Sequence, residues 1–384
     1  MLATPLDREA YPLADLETLS TPRLLVYRAH VESNAEVLRA ALESVAPGTG
    51  FRHLAPHVKT HKSLWATRLL QQKGVEKFKC TPQELDMLLE AAAKEVLIAY
   101  PLLEHAAERV ASAIARRAGP RITAHVARRE HAELLAAAAR RHGVEIDCLV
   151  DVDVGNHRTG CPPRAAADLV RAVLSNPELG ALRWRGIHAY DGHNSSPDPK
   201  VRAEVAVKAM QEVVDCASAV SAAGGNVERI VVGGTPGCLL DLHELTRRHR
   251  VDAQVDVSPG TWVYWDSNYD AKMPGAFKYA AILLAQVMDT PGEDLATLNL
   301  GYKRWAIDQG PIQVFDTPGC EVVATSEEHT VVRLRAGQRL PVGARVFLVP
   351  RHVCSTVNLW ETFTVVGPDG RIERMCEPVT ARNR

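Results

Sequence analysis

Between Phe51 and Ser258, eight short β-like runs alternate with helical patterns, and that alternation constrains the fold more than anything else in the chain. The runs are Phe51–Val58, Lys77–Cys80, Glu95–Tyr100, Ile122–Val126, Ile146–Val154, Trp184–Tyr190, Arg229–Val232 and Asp252–Val257. Helical spacing fills the gaps at Thr81–Ala92, Leu103–Arg117, Arg129–His142, Pro163–Leu174 and Lys200–Ala222. The helix at Thr81 is well signed: Thr81 stands as N-cap, Pro82 at N1 and Glu84 at N3, which predicts a capping box. Eight such repeats predict a (β/α)8 TIM barrel. A doubly wound open sheet is the alternative, but no GxGxxG follows the first run.

After Gly260 the helical spacers stop. Apolar runs at Tyr279–Val287, Ala296–Leu300, Thr330–Leu334, Arg345–Leu348 and Thr362–Val366 are separated by turns such as Pro291-Gly292, Pro318-Gly319, Ala336-Gly337 and Pro368-Asp369-Gly370. This predicts a mostly antiparallel β-domain. The expected division is a barrel over 23–262 and a β-domain formed by 1–22 with 263–384. The run Arg23–Tyr27 reads as a strand that pairs with the C-terminal domain rather than the barrel.

Of the 384 residues, 45 are Lys or Arg and 46 Asp or Glu, a formal charge of −1, so neither nucleic acid nor an anionic membrane is expected as a partner. The apolar stretches are too short to span a bilayer, and charges at Asp7, Arg8 and Glu9 argue against a signal peptide. The eight cysteines are scattered without a CxxC pair, as expected for reduced thiols in a cytoplasmic protein.

Several segments carry chemistry-bearing residues. Pro56-His57-Val58-Lys59-Thr60-His61-Lys62 ends the first run, where barrel active sites lie. A lysine there, partly desolvated among other cations, suits Schiff-base capture of a carbonyl cofactor. A solvated basic turn is the other reading. Asp151–Gly160 ends the fifth run and offers Arg158 as a planar donor for an anionic oxygen, or as a partner of Asp151 or Asp153. Gly233-Gly234-Thr235-Pro236 follows the seventh run, with Pro236 expected at N1 of a helix; it reads as a phosphate loop or as a plain turn.

His188, Tyr190 and His193 end the sixth run, with Tyr190 as a ring-packing tyrosine and His193 as a general base, or as a satisfied histidine and a core-edge tyrosine. Ser258-Pro259-Gly260-Thr261 adds further phosphate contacts after the eighth run. On an extended strand His352 and Cys354 point to one face and can share a metal, zinc before other ions, although free cysteines are more often buried hydrophobes. Asp308 and Glu327-Glu328-His329 read as surface residues of the β-domain.

The ordered series Pro-His-Val-Lys-Thr-His-Lys, His-Arg-Thr-Gly, Tyr-Asp-Gly-His, Gly-Gly-Thr-Pro, Glu-Glu-His and His-Val-Cys-x-Thr-Val-Asn-Leu resembles the fold-type III pyridoxal phosphate lyases. These are the D-serine dehydratases and D-threonine aldolases, built on an alanine racemase-like barrel. The resemblance covers about Thr21 to Arg382. It implies pyridoxal phosphate on Lys59, with Arg158 and Tyr190 near its ring, and Gly233, Gly234 and Thr235 as its phosphate loop, beside which Gly260 is placed by its position after the eighth run. It implies a divalent metal on His352 and Cys354, zinc foremost, with manganese or magnesium as alternatives. Asn299 departs from the aspartate more usual there, and Cys354 replaces the aspartate of several aldolases.

The resemblance also implies a lyase of small D-3-hydroxy amino acids, and a homodimer. Dehydration to a 2-oxo acid and ammonia is the leading expectation, on Cys354. In it Lys59 removes the α-proton and the metal holds the β-hydroxyl. The alternative is a retro-aldol cleavage to glycine and an aldehyde, with His193 as base. Amino-acid racemisation and a non-catalytic cofactor carrier are more distant; nothing marks the second base a racemase needs, and carriers lack a C-terminal β-domain.

Overall fold

The computed structural model describes residues 7–14, 16–116, 119–314, 317 and 319–382. They fall into two units. One comprises Leu38–Lys59 and Thr67–Gly260, the other Met1–Val37, Thr60–Ala66 and Thr261–Arg384.

The first strand, β1 (Arg23–Tyr27), joins the sheet of the second unit. The next seven form the parallel sheet of the first unit, each beside its successor: β2 (Lys77–Cys80), β3 (Glu95–Ile98), β4 (Arg121–Val126), β5 (Ile146–Val152), β6 (Leu182–Ala189), β7 (Arg229–Val232) and β8 (Gln254–Val257). Helices return the chain between strands. Arg129–His142 ends on Gly143 at φ 62°, a left-handed cap that glycine adopts without a Cβ clash. The Thr81 capping box is present: the backbone amide of Thr81 donates to Glu84 Oε2 at 2.6 Å, and that of Gln83 to Thr81 Oγ1.

The expected first barrel strand, Phe51–Val58, is not a strand. Residues 51–53 turn, Pro56 has no amide to donate, and Val58–Thr60 coil into a 3-10 helix. The segment still closes the ring. Leu54 bridges Val257 and His57 bridges Lys79, both in parallel sense, while Ala55 N donates to Val257 O at 2.9 Å and Lys79 N to Pro56 O at 2.9 Å. The (β/α)8 architecture therefore stands, with its first staff reduced to two bridges.

Side chains from alternate strands fill a barrel of this kind in layers. Leu97 on β3, Leu149 on β5 and Val231 on β7 form an apolar layer. Lys79 on β2, His125 on β4, His188 on β6 and Ser258, just past β8, are all buried and linked by contacts from one to the next. Toward the N-terminal ends of the strands, Asp256 holds both Lys77 and Arg229, and Arg229 also reaches Glu95 at 3.1 Å. That end of a barrel serves stability.

In the second unit a mostly antiparallel sheet contains β9 (Ala281–Gly292), β10 (Leu295–Leu298), β11 (Gln313–Val314), β12 (Glu321–Thr325), β13 (Thr330–Arg333), β14 (Arg345–Val349), β15 (Thr362–Val366) and β16 (Ile372–Pro378). Its order is β12-β13-β10-β9-β1-β15-β16, with β14 also on β9 and β11 on β14; only β1 and β15 pair in parallel. Leu25, Tyr27, Tyr279, Ile282, Leu284, Phe347 and Val366 share its core. Of the expected boundaries, Arg117 and Pro318 lie outside the described residues. No helix among the described residues is long and apolar enough to cross a membrane.

Candidate active site

In the barrel unit the elements that end at the C-terminal side of the strands converge on Tyr190. Its ring has the Arg158 guanidinium 5.0 Å from its centroid, Lys79 Nζ at 5.5 Å and Lys59 Nζ at 6.0 Å. Lys59 is half-buried in the 3-10 helix Val58–Thr60, and its backbone amide donates to His57 Nδ1. Arg158 is exposed and pairs with neither Asp151 nor Asp153. Asp153 is instead taken by its own loop: Oδ1 accepts from the amides of Gly155 and His157, and Oδ2 meets the His157 ring at 2.9 Å. Gly160, at φ +107°, lets this loop fold back; a Cβ there would stand 2.6 Å from Asp153 N.

Gly234 lies flat against Tyr190, where an added Cβ would come within 3.2 Å of the ring. Its amide donates to Asp191 Oδ1 at 3.0 Å. Thr235 and Gly260 are buried. The helix after this loop starts at Cys238 with Gly237 as cap, so Pro236 precedes it and is not N1. His193 is exposed and packs beside Gly155, within 3.0 Å of where a Cβ would be.

Behind Tyr190, Asp151, His188 and Ser258 of the singled-out segments are joined by Lys79, which no motif pointed to. Lys79 Nζ donates to His188 Nε2 at 2.8 Å and to Ser258 Oγ at 2.9 Å, and His188 Nδ1 donates to Asp151 Oδ1 at 2.6 Å. Burial and the adjacent Lys79 push the His188 imidazole down to about 3, so it is neutral. Burial works against the Asp151 carboxylate, yet His125 and His188 hold its pKa well below the usual range. Burial, with Lys59 and Arg158 near, lowers Lys79 to about 7 against the pull of Asp151 and Asp191. His125, Asp151 and His188 place one ligand atom each within 4.8 Å of the others. With Lys79 already bonded to His188, that group reads as a charge chain, since a divalent ion would share its histidine with an ammonium.

In the β unit, His352 and Cys354 are not on a strand. β14 ends at Val349, and Val353–Asn358 is a helix with His352 as its N-cap residue; the Val353 amide is taken by Asp266 Oδ2 at 3.0 Å. The two side chains nevertheless meet in a hydrogen bond. Burial opposes protonation of His352, but Cys354 and Asp308 push its pKa up to about 9. Asp308 Oδ2 takes the Nδ1 proton at 2.6 Å, which leaves Nε2 as the ligand atom. Thr60 Oγ1 lies 3.1 Å from Cys354 Sγ. Asp308 is thus no idle surface residue, whereas Glu328 of the Glu-Glu-His run only pairs with Lys303. Asn299 bridges the Gln286 amide and Thr21 Oγ1.

The family model for the alanine racemase N-terminal domain matches residues 26–267. The chain belongs to that family. A second model, described as "Putative serine dehydratase domain", matches residues 280–366, and together the two bear out the fold-type III D-serine dehydratase and D-threonine aldolase group. The chain is 32% identical to a D-threonine aldolase of Arthrobacter sp over 62% of each protein, so the match spans less than two thirds of that relative. It is 24% identical to D-threo-3-hydroxyaspartate dehydratase of Delftia sp. over 93% of the chain and 97% of the relative. The crystal structure of D-threonine aldolase from Filomicrobium marinum superposes with a TM-score of 0.84, at 26% identity, with 96% of each chain covered. The fold-type III family to which these matches point is pyridoxal phosphate-dependent.

Proposed function

We propose that the chain is a pyridoxal phosphate- and metal-dependent lyase of small D-3-hydroxy amino acids. The observation that carries this is the convergence of Lys59, Lys79 and Arg158 on the Tyr190 ring. Three cations around one aromatic ring, with Gly234 packed close against that ring, fit a flat anionic ring bearing an aldehyde and a phosphate. Lys59, Arg158, Tyr190, Gly233, Gly234, Thr235 and Gly260 are the residues we assign to it. The imidazole and thiolate of His352 and Cys354 fit a borderline-soft divalent ion, zinc before manganese or magnesium.

When bound, pyridoxal phosphate supplies an electron sink for chemistry at the α-carbon. A metal on His352 and Cys354 supplies Lewis acidity toward a hydroxyl. The chain's own residues do the rest. Lys59 would anchor the cofactor, and its Nζ would serve as the acceptor of the α-proton. Tyr190 would offer its ring as a packing surface for the bound cofactor. Arg158 neutralises anionic oxygen. Asp308 keeps His352 in one tautomer.

Cys354 supports elimination to a 2-oxo acid and ammonia as the reaction. The 32% identity to an aldolase favours the second reading, a retro-aldol cleavage in which a base such as His193 takes the hydroxyl proton. Purified protein supplied with D-serine and D-threonine decides: pyruvate or 2-oxobutyrate supports elimination, and glycine with acetaldehyde overturns it. A homodimer in the cytoplasm is part of the same proposal; the eight free cysteines suit a reducing compartment.

A further inference from the structure

Asp191 and Asp241 are buried carboxyls that no step above uses, and both stand against the loop that runs from Gly233 to Gly237. Asp191, just past β6, accepts from Gly234 N at 3.0 Å through Oδ1. A side chain at Gly237 would collide with Asp191 Oδ2 and come within 3.3 Å of Asp241 Oδ2; one at Gly233 would come within 3.1 Å of the same Asp241 oxygen. The two carboxyls are thus wedged beneath both ends of the loop, and they meet in a side-chain hydrogen bond. Among the described residues no N–H or hydroxyl donates to Asp191 Oδ2 or to either oxygen of Asp241. Two buried carboxylates facing each other without a donor between them would carry both a desolvation cost and a like-charge cost, and one proton relieves both.

The surroundings decide which carboxyl holds that proton. Asp191 has the Gly234 amide, and Lys79 and His193 act on it as bases that can carry positive charge. The groups that act on Asp241 are Asp191 and Glu244, both acidic, and with burial they push its pKa well up. Burial raises Asp191 too, but against the pull of the Gly234 amide, Asn194, His193 and Asp241 itself. Cys238, at the start of the same helix, is held as a neutral thiol by burial.

We propose that Asp191 and Asp241 share one proton, carried by Asp241 and donated to Asp191, and that this acid pair holds the Gly233–Gly237 loop in the shape that receives the cofactor's phosphate. Asp241 is therefore a positioning residue: it fixes Asp191, and Asp191 fixes the Gly234 amide. The inference rests on the reading that Gly233, Gly234 and Thr235 take that phosphate.

Infrared difference spectra read the proton directly. Wild-type minus Asp241→Asn protein at neutral pH is expected to show the carbonyl stretch of a carboxylic acid, shifted in heavy water. Two folded proteins whose difference lacks that band overturn the proposal. The hold on the loop is read from dissociation constants for pyridoxal 5'-phosphate and for pyridoxal, which has no phosphate. Asp241→Leu removes the donor, and is expected to weaken pyridoxal phosphate about tenfold while pyridoxal stays within about twofold. Asp241→Asn, whose amide still donates to Asp191, is expected to rescue the wild-type preference. Asp241→Ala takes the place of Asp241→Leu should that variant not fold.

Equal weakening of both ligands, or an unchanged preference in the donor-less variant, overturns the proposal. If instead the wild-type protein binds pyridoxal phosphate no more tightly than pyridoxal, the reading of the phosphate loop falls, and that comparison tells the two failures apart.

Discussion

Asp308 Oδ2 lies 2.6 Å from His352 Nδ1, although the two residues are 44 positions apart. The carboxylate fixes which imidazole nitrogen carries the proton and strengthens the other as a ligand. Asp308→Ala is expected to weaken metal binding about 10- to 100-fold. Competition with a chromophoric chelator measures it directly. Unchanged affinity would mean that His352 is held by Ser355 alone.

Chelation separates the two proposed cofactor sites. Treatment with EDTA is expected to abolish lyase turnover while borohydride still fixes the pyridoxal group to Lys59. Readdition of zinc restores activity. A protein that keeps full turnover after verified metal loss would remove His352 and Cys354 from the chemistry.

Gly160 holds the loop that presents Arg158. A side chain there meets Asp153 N at 2.6 Å and must also adopt φ +107°, so Gly160→Ala is expected to cost about 1–3 kcal/mol and to weaken cofactor binding. Thermal melting and a cofactor titration read the two effects. A variant equal to wild type in both would show that the loop does not position Arg158.

Glu361 accepts from Arg304 at 2.9 Å and from Arg382 at 2.6 Å, and these two cations bring its pKa down to about 2. A carboxylate with a folded pKa below its unfolded value stabilises the fold above the unfolded pKa, about 4.3, and loses that effect as pH falls through the folded value. The pair is solvent-exposed, so Glu361→Gln is expected to cost less than about 1 kcal/mol at neutral pH. The difference from wild type shrinks toward pH 2. Urea midpoints across that window check it, and a constant difference would refute the assignment.

The strongest local signals in the sequence translate directly into structure. Arg129–His142 and Arg229–Val232 form as their patterns predict, because helical spacing with a glycine stop and the β-branched run Ile230–Val232 leave little choice. Phe51–Val58 misleads because its apolar residues say what is buried, not which amides pair, and Pro56 removes one of them. Strands β12 and β16 escape because they are edge-lying and largely exposed, and show no apolar alternation.

At the site, motifs that are contiguous were legible: Lys59, Arg158, Tyr190 and Gly234 do meet. Asp308 was not, since only folding brings it to His352. The Lys79–His188–Asp151 chain was hidden for the same reason, being drawn from three strands. Its trace in the sequence is a charged or imidazole residue inside runs that are otherwise buried, as in Lys77-Phe78-Lys79-Cys80 and Ile122–Val126.

The polar layer of the barrel has an evolutionary corollary. Lys79, His125, His188 and Ser258 come from different strands yet complete one another's hydrogen bonds, so replacing one leaves its neighbours stranded in a dry interior. Viable descendants of this chain would exchange such members in concert, and the rim loops would be free to drift while the ring beneath them is inherited as a block.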